Sequence, residues 1–285
     1  MTPADPSSPH LARPGRRLAA VGETGVPAEL RHRRMADLVE SAGFTRVTDL
    51  AGHFGVSTVT VRSDLAALEA LGQLRRVRGG AVPVSLGVAE KSLELSAAEQ
   101  AREKVAIGTR AAALVTTGDV VVLDVGSTTT AIAEALMLRR DLRDVTIVTN
   151  ALNVAMRLEA ASDRISVIVS GGTVRPLQHS LVNPYATLLL EQLTAHLAFI
   201  GCNGVDATGG VTNRNVAEAE IKRAMVRASR RAVVVADGTK LGEVEVARVC
   251  AVTDVDLLVT DSTADPDIVA QLVAAGLDVD VAHTE

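Results

Sequence analysis

The chain has 285 residues with 29 Lys or Arg and 34 Asp or Glu, a net charge of −5; at about 150 residues per domain, that length suggests two domains. Hydrophobic residues make up 47% and charged residues 22%, which excludes a mostly disordered chain, a collagen and a disulfide scaffold. Aromatics are 1%, namely Phe44, Phe54, Phe199 and Tyr185 with no Trp, so a core of Val, Leu, Ile and Ala is expected and a base-stacking reader of single strands is not.

Residues 1–90 carry 11 basic and 9 acidic side chains, whereas residues 91–285 carry 18 and 25. An acidic body with a mildly basic head can hold nucleic acid through the head alone. Basic residues are 25 Arg and four Lys, a bias that reads as genomic base composition. Cys202 and Cys250 lie far apart and outside any CxxC or Cys/His cluster. They read as small apolar residues in a reducing compartment rather than as a disulfide or metal site. The opening MTPADPSSPHLARPGRR lacks the apolar stretch of a secretory signal, and no run is long enough to span a membrane. A cytoplasmic protein is expected.

Five of the nine prolines fall in residues 1–27, which predicts a disordered tail. A helix is expected from residue 28, with Met35, Leu38, Val39 and Ala42 on one face and Gly43 ending it. Thr48 is expected to cap a second short helix that turns Leu50, Ala51 and Phe54 inward. Gly55 breaks the chain, and Ser57 caps a third helix with Val61, Leu65 and Leu68 inside. This is a helix-turn-helix pattern. In GQLRRVRGGAV, Gly72 ends the helix and Gly79-Gly80 can turn a hairpin, which makes a β-wing.

Residues 83–95 read as a linker. Beyond it, short apolar runs predict strands at 120–123, 145–149, 165–170, 198–201, 232–236, 257–260 and 278–281. Helices fill the gaps at 100–115, 128–138, 150–160, 185–195, 216–229 and 265–275. The fold class is α/β, with a winged helix-turn-helix over 28–82 and a larger domain over 96–285 built on a mostly parallel sheet.

In VSTVTVRSDL, Ser57 and Thr58 open the third helix, where hydroxyl and amide groups meet phosphates. Thr58, Thr60 and Arg62 are the polar residues that the apolar face does not need, and Arg62 can fork onto guanine or clamp a phosphate. Arg75, Arg76 and Arg78 cluster on the wing. The alternative is a small helical domain with a solvated basic face. Asp64 reads as structural, an acceptor for nearby arginines. In VVVLDVGSTTTAIAEAL, a strand runs into Asp124 and Gly126. Ser127, Thr128, Thr129 and Thr130 then stand at a helix N-terminus. That is either an anion site or an ordinary capped helix; the loop has no Lys, so it is not a Walker A motif. Asn150, Gly171, Gly172, Arg175, Asn203, Asp237 and Lys240 follow strand ends, where open parallel sheets bind ligands. Glu218 and Lys222, four apart, are either a surface ion pair or residues of the same crevice.

Residues 31–82, through LAGHFGVSTVTVRSDL and GQLRRVRGGAV, resemble the winged helix-turn-helix of the DeoR family of bacterial transcription regulators. Ser63 departs from a second basic residue of that pattern, and Arg78 replaces a His. The body resembles the family's C-terminal sensor through DVGSTT, TNALNVA, SGGTVR, AFIGCNGVD, EAEIKRAM, ADGTKLG and DLLVTD. The resemblance implies a fold similar to ribose-phosphate isomerases and CoA transferases. It also implies a homo-oligomer that binds double-stranded operator DNA, most often as a repressor of sugar-catabolism genes, and is released by a phosphorylated sugar. The expected effector residues are Asp124, Gly126, Ser127, Thr128, Thr129, Asn150, Gly171, Gly172, Arg175, Asn203, Glu218, Lys222 and Lys240. No cofactor, metal or membrane is expected. The competing expectation is a sugar-phosphate isomerase-like enzyme with an accessory DNA-binding head, using carboxylates among Glu103, Asp124, Asp206 and Glu218.

Overall fold

The structure, a computed structural model, describes residues 27–42, 45–77, 79–82 and 90–284. The expected tail, apart from Pro27, and the wing residue Arg78 lie outside the described residues. The chain divides between Val88 and Ala89 into two compact units.

The first unit holds helices α1 (Ala28–Ala42), α2 (Val47–Phe54) and α3 (Thr58–Ala70). Its sheet joins β1 (Thr45–Arg46), β2 (Arg75–Val77) and β3 (Gly80–Val82) in the order β1-β3-β2. Gly55, at φ +62°, closes α2 in the left-handed conformation that a side chain rarely tolerates. Ser57 then caps α3 by accepting the Thr60 amide at 3.0 Å. These two residues make the tight turn. Helix α2 starts before the expected Thr48 cap, because the Val47 amide is already bonded to the Gly79 carbonyl at 3.0 Å. The wing hands the chain straight into the helix. Met35, Val39, Leu50, Phe54, Val61, Leu65, Leu68 and Leu74 form the core.

The second unit is a seven-stranded parallel sheet with helices on both faces. In chain order it runs α4 (Leu93–Ala98), α5 (Ala101–Ala112), β4 (Val120–Leu123), α6 (Ser127–Leu138), β5 (Val145–Thr149), α7 (Leu152–Leu158) and β6 (Ile165–Val169). There follow β7 (Thr173–Arg175), β8 (Ser180–Val182), α8 (Tyr185–Leu190), β9 (Leu197–Gly201), β10 (Gly204–Asp206) and β11 (Gly210–Asn213). The last elements are α9 (Val216–Arg227), β12 (Ala232–Val235), β13 (Ala247–Cys250), β14 (Leu257–Asp261), α10 (Pro266–Ala274) and β15 (Val279–Ala282). The sheet order is β15-β14-β12-β9-β4-β5-β6. Alternate residues of one strand enter different cores. Val121 and Leu123 pack with Ile107, Ile132 and Leu136, whereas Val122 packs on the side of Ile221, Met225 and Leu272. A strand buried on both faces must be apolar throughout, which is why β4, β9 and β12 read as continuous apolar runs, whereas the edge strands β6 and β15 are partly exposed and carry Ser166 and Asp280.

Two smaller pieces differ from the expected alternation. β7 and β8 form an antiparallel hairpin, and β10, β11 and β13 form a three-stranded antiparallel sheet. The expected linker ends in helix: Ser92 caps α4 from its first turn, and Leu93 is buried. Helices α5 and α6 pack closely. A Cβ on Gly108 would lie 2.7 Å from the Ala131 carbonyl carbon, so only glycine permits this approach.

Candidate functional site

In the first unit the third helix turns Ser57, Val59, Arg62 and Ser63 to solvent, with Thr58 and Thr60 half-buried. The Ser57 hydroxyl bonds the Thr60 hydroxyl at 2.8 Å. Val59 is 71% exposed and shares the face of Arg62 one turn on. Sequence reading passed over it because an apolar residue draws notice only on the buried face. Arg75 and Arg76 are exposed on β2. Arg76 is held by Glu69, which accepts both its amide, at 2.8 Å, and its Nε, at 2.7 Å. Asp64 is buried, and it accepts from Arg31 Nε at 2.7 Å and lies 2.8 Å from His32 Nε2. It is the structural acceptor that the sequence suggested, with partners on α1.

In the second unit the strand ends converge at one edge of the sheet. Asp124, directly after β4, is fully buried. Its Oδ2 accepts the Gly201 amide at 3.0 Å and is ion-paired with Lys222, while Oδ1 has no partner. Burial pushes the Asp124 carboxyl up, against the pull of Lys222. Burial also opposes the charge on Lys222, but Asp124 and Glu218 outweigh it and hold the ammonium above its ordinary value. Glu218 and Lys222 are thus not paired with each other. Glu218 accepts from the Ser180 hydroxyl at 2.9 Å and from Arg175. Arg175 also pairs with Glu90 and is shared between two carboxylates rather than free.

Gly126, at φ +143°, precedes α6. The helix leaves its first amides, at Ser127 and Thr128, without intrahelical acceptors. The Thr129 and Thr130 hydroxyls turn back onto the Gly126 carbonyl at 3.0 and 2.7 Å. Ser127 and Thr128 therefore remain as the loop's hydroxyl donors. Asn150, after β5, donates to the Leu181 carbonyl at 3.2 Å, and its Oδ1 is buried without a partner. Asn153, missed in the sequence, donates to the Thr130 hydroxyl at 2.8 Å and likewise keeps an unpartnered oxygen. Gly172 meets the Val182 carbonyl so closely that a Cβ would lie 2.1 Å from its oxygen, while Gly171 is half-buried beside it. Asn203 accepts the Arg214 amide at 3.0 Å and braces the small antiparallel sheet. Asp206 accepts two turn amides between β10 and β11.

All four lysines of the chain gather at this edge. Lys91 pairs with Glu99 at 2.5 Å, and Lys222 pairs with Asp124. Lys104, buried on α5, donates to the Ser96 carbonyl at 2.5 Å and the Glu99 carbonyl at 2.6 Å. Burial lowers its pKa, with Lys240 among the neighbours that reinforce this and Asp237 opposing it. Lys104 was not singled out in the sequence, since one Lys on a helix resembles a solvated residue. Among the described residues no three His, Cys, Asp or Glu are placed to hold a metal ion. No described helix is long and apolar enough to cross a membrane.

Comparison with known proteins matches residues 31–85 to the DeoR-like helix-turn-helix domain and residues 99–262 to the DeoR C terminal sensor domain. The HTH-type transcriptional regulator GlpR of Haloferax volcanii is 35% identical over 89% of this chain and 97% of its own length. The glycerol-3-phosphate regulon repressor of Escherichia coli K12 is 30% identical over 81% of this chain and 90% of its own. The putative aga operon transcriptional repressor of E. coli O157:H7 is 31% identical over 87% and 92%. Among solved structures, ribose 5-phosphate isomerase A from Methanocaldococcus jannaschii aligns with a TM-score of 0.37 and 16% identity, over 50% of this chain and 55% of that one.

Proposed function

The chain belongs to the DeoR family of transcriptional regulators, and from that premise we propose that it represses sugar-catabolism genes and leaves double-stranded operator DNA when a phosphorylated sugar enters its sensor crevice. In this reading residues 28–82 read the operator, 83–95 connect, and 96–285 sense and assemble into a homo-oligomer in the cytoplasm. Thr58, Thr60 and Arg62 face the major groove, where Val59 meets a thymine methyl group. Ser57, Arg75, Arg76 and Arg78 hold phosphates.

One observation carries the sensor reading: unpartnered buried acceptors and open donors occur at the same sheet edge. Asp124 Oδ1 and Asn150 Oδ1 accept from sugar hydroxyls, and the Ser127 and Thr128 amides at the head of α6 suit an anion. Glu218 and Lys222 fix Asp124 and Arg175, with Thr129, Gly126, Gly171, Gly172 and Asn203 shaping the walls. The names of the relatives above, all regulators and one a glycerol-3-phosphate regulon repressor, support both halves. We read a sensor rather than an isomerase, and three of the four candidate carboxylates support it: Asp124 pairs with Lys222, Glu218 with Arg175 and Ser180, and Asp206 holds turn amides.

A reporter fused to the promoter of the operon that lies beside the gene tests repression. Deleting the gene is expected to raise expression in medium lacking the sugar. Falling expression would make the protein an activator, and unchanged expression would remove the operon from its control.

A further inference from the structure

The start of the second unit is fastened to the β7–β8 hairpin. The chain enters this unit at Ala89, and Glu90, Lys91 and Glu94 are all held by the hairpin. Glu90 pairs with Arg175, the Lys91 carbonyl accepts from Gln178 Nε2 at 2.6 Å, and Glu94 lies 2.8 Å from His179 Nε2. The two ion pairs are unequal. The His179 and Glu94 side chains are 45% and 67% exposed, and an ion pair that open to water contributes little. Arg175 and Glu90 are only 19% and 18% exposed, so solvent and salt screen them less.

The other side of the hairpin belongs to the crevice. The Leu181 amide donates to the Asn150 carbonyl at 2.8 Å, and the Asn150 side chain donates to the Leu181 carbonyl at 3.2 Å. Ser180 and Arg175 both donate to Glu218. Glu218 in turn acts electrostatically on Lys222, the partner of Asp124. Charges therefore alternate in sign from Asp124 through Lys222, Glu218 and Arg175 to Glu90. Each inner member is shared between two neighbours of opposite sign, so a change at the Asp124 end alters the pull on the next in turn.

Arginine is the side chain this junction needs. Its Nη1 serves Glu218 and its Nη2 serves Glu90, and the rigid guanidinium fork carries a displacement from one carboxylate to the other, as a flexible ammonium would not. The hairpin is also separate from the large sheet. β7 and β8 form a two-stranded sheet of their own, entered through Gly171 and Gly172 at φ +71° and +123°. A shift of the hairpin breaks no ladder bond of the seven-stranded sheet.

We propose that Arg175 is a positioning residue that couples the crevice to the incoming chain, by tying Glu90 to Glu218 so that crevice ligand and operator act on one hairpin. This rests on the sensor reading and adds its connection to the DNA-reading unit. Two ligands are coupled when both bias one shared element, and the coupling is reciprocal.

Glu90→Ala in the full-length protein tests this. The variant leaves Arg175 with Glu218, so no buried charge is orphaned. Operator duplex is titrated by fluorescence anisotropy without and with glycerol 3-phosphate and a panel of hexose and pentose phosphates. The readout is the ratio of the two duplex affinities, because a merely structural loss weakens both alike and leaves the ratio as in wild type. Glu90→Ala is expected to lower the ratio about tenfold, within the usual range of coupling between sites. His179→Ala, which removes only the exposed contact, is expected to keep it within about twofold of wild type. A Glu90→Ala protein with the wild-type ratio refutes the coupling while the sensor reading stands, and so does a His179→Ala protein that loses as much. If no ester changes the wild-type affinity, the sensor reading fails, and hydrogen exchange judges the coupling by itself. Operator duplex is then expected to change exchange of the Leu181 amide in wild type and not in Glu90→Ala. An equal response in both proteins, or none in either, refutes the coupling.

Discussion

Asp64 joins α3 to α1 through Arg31 and His32, and its behaviour in acid follows from that position. Burial pushes its carboxyl up, but the two basic partners outweigh burial and hold it below its ordinary value. Its stabilisation is therefore complete above about pH 4, the usual carboxylate value, and is lost as pH falls through the lowered one. Asp64→Ala is expected to lower the stability of the first unit by about 2–3 kcal/mol at pH 7, since it removes the buried acceptor that Arg31 and His32 share. The deficit is expected to shrink in strong acid, once pH has fallen through the lowered value and wild-type Asp64 is protonated as well. Urea unfolding followed by circular dichroism at both pH values measures it; an equal deficit at both would assign the loss to packing rather than charge. The same scale shows what sequence reading misses. That Arg175 serves both Glu90 and Glu218 could not be read from residues 85 and 43 positions away. Nor does the row of hydroxyls at 127–130 reveal which of them turn back onto Gly126.

At the scale of elements, the parallel strands were legible because most are unbroken apolar runs. β7, β8, β10, β11 and β13 were not, being three or four residues long and without a clear alternation. Helix α4 was hidden because it is only six residues long and its first three fall in the apparent linker. Helix α3 was legible in cap, core face and end alike, and its solvent face sets the next expectation. Arg62→Ala is expected to weaken operator binding by about 1–3 kcal/mol and relax the preference at one base pair. Arg76→Ala is expected to weaken operator and unrelated DNA alike and to reduce the salt slope by about one unit. Fluorescence-anisotropy titrations at several salt concentrations separate the two. An Arg62→Ala protein that binds operator like wild type at every salt would remove α3 from the groove.

The whole molecule combines a DNA-reading unit with a sensing unit, and one recognition helix reads too few base pairs for an operator. Paired half-sites require a symmetric pair of chains. Strand β6 ends the large sheet with Ile168 and Val169 exposed, an open apolar edge of the kind that association covers. Residues 90–285 alone are expected to be oligomeric by light scattering at micromolar concentration, and a monomer would contradict this. The central claim couples the two units: a phosphorylated sugar in the crevice breaks the hold on DNA. Its most direct measurement is an anisotropy titration of the protein–operator complex with a panel of sugar phosphates and their neutral parents. At least one phosphate ester is expected to release wild type where its parent does not. Thr128→Val, which keeps the shape and loses the hydroxyl, is expected to bind operator normally and need about tenfold more of that ester for release. A complex indifferent to every ester, or released only by a neutral sugar, would contradict the account.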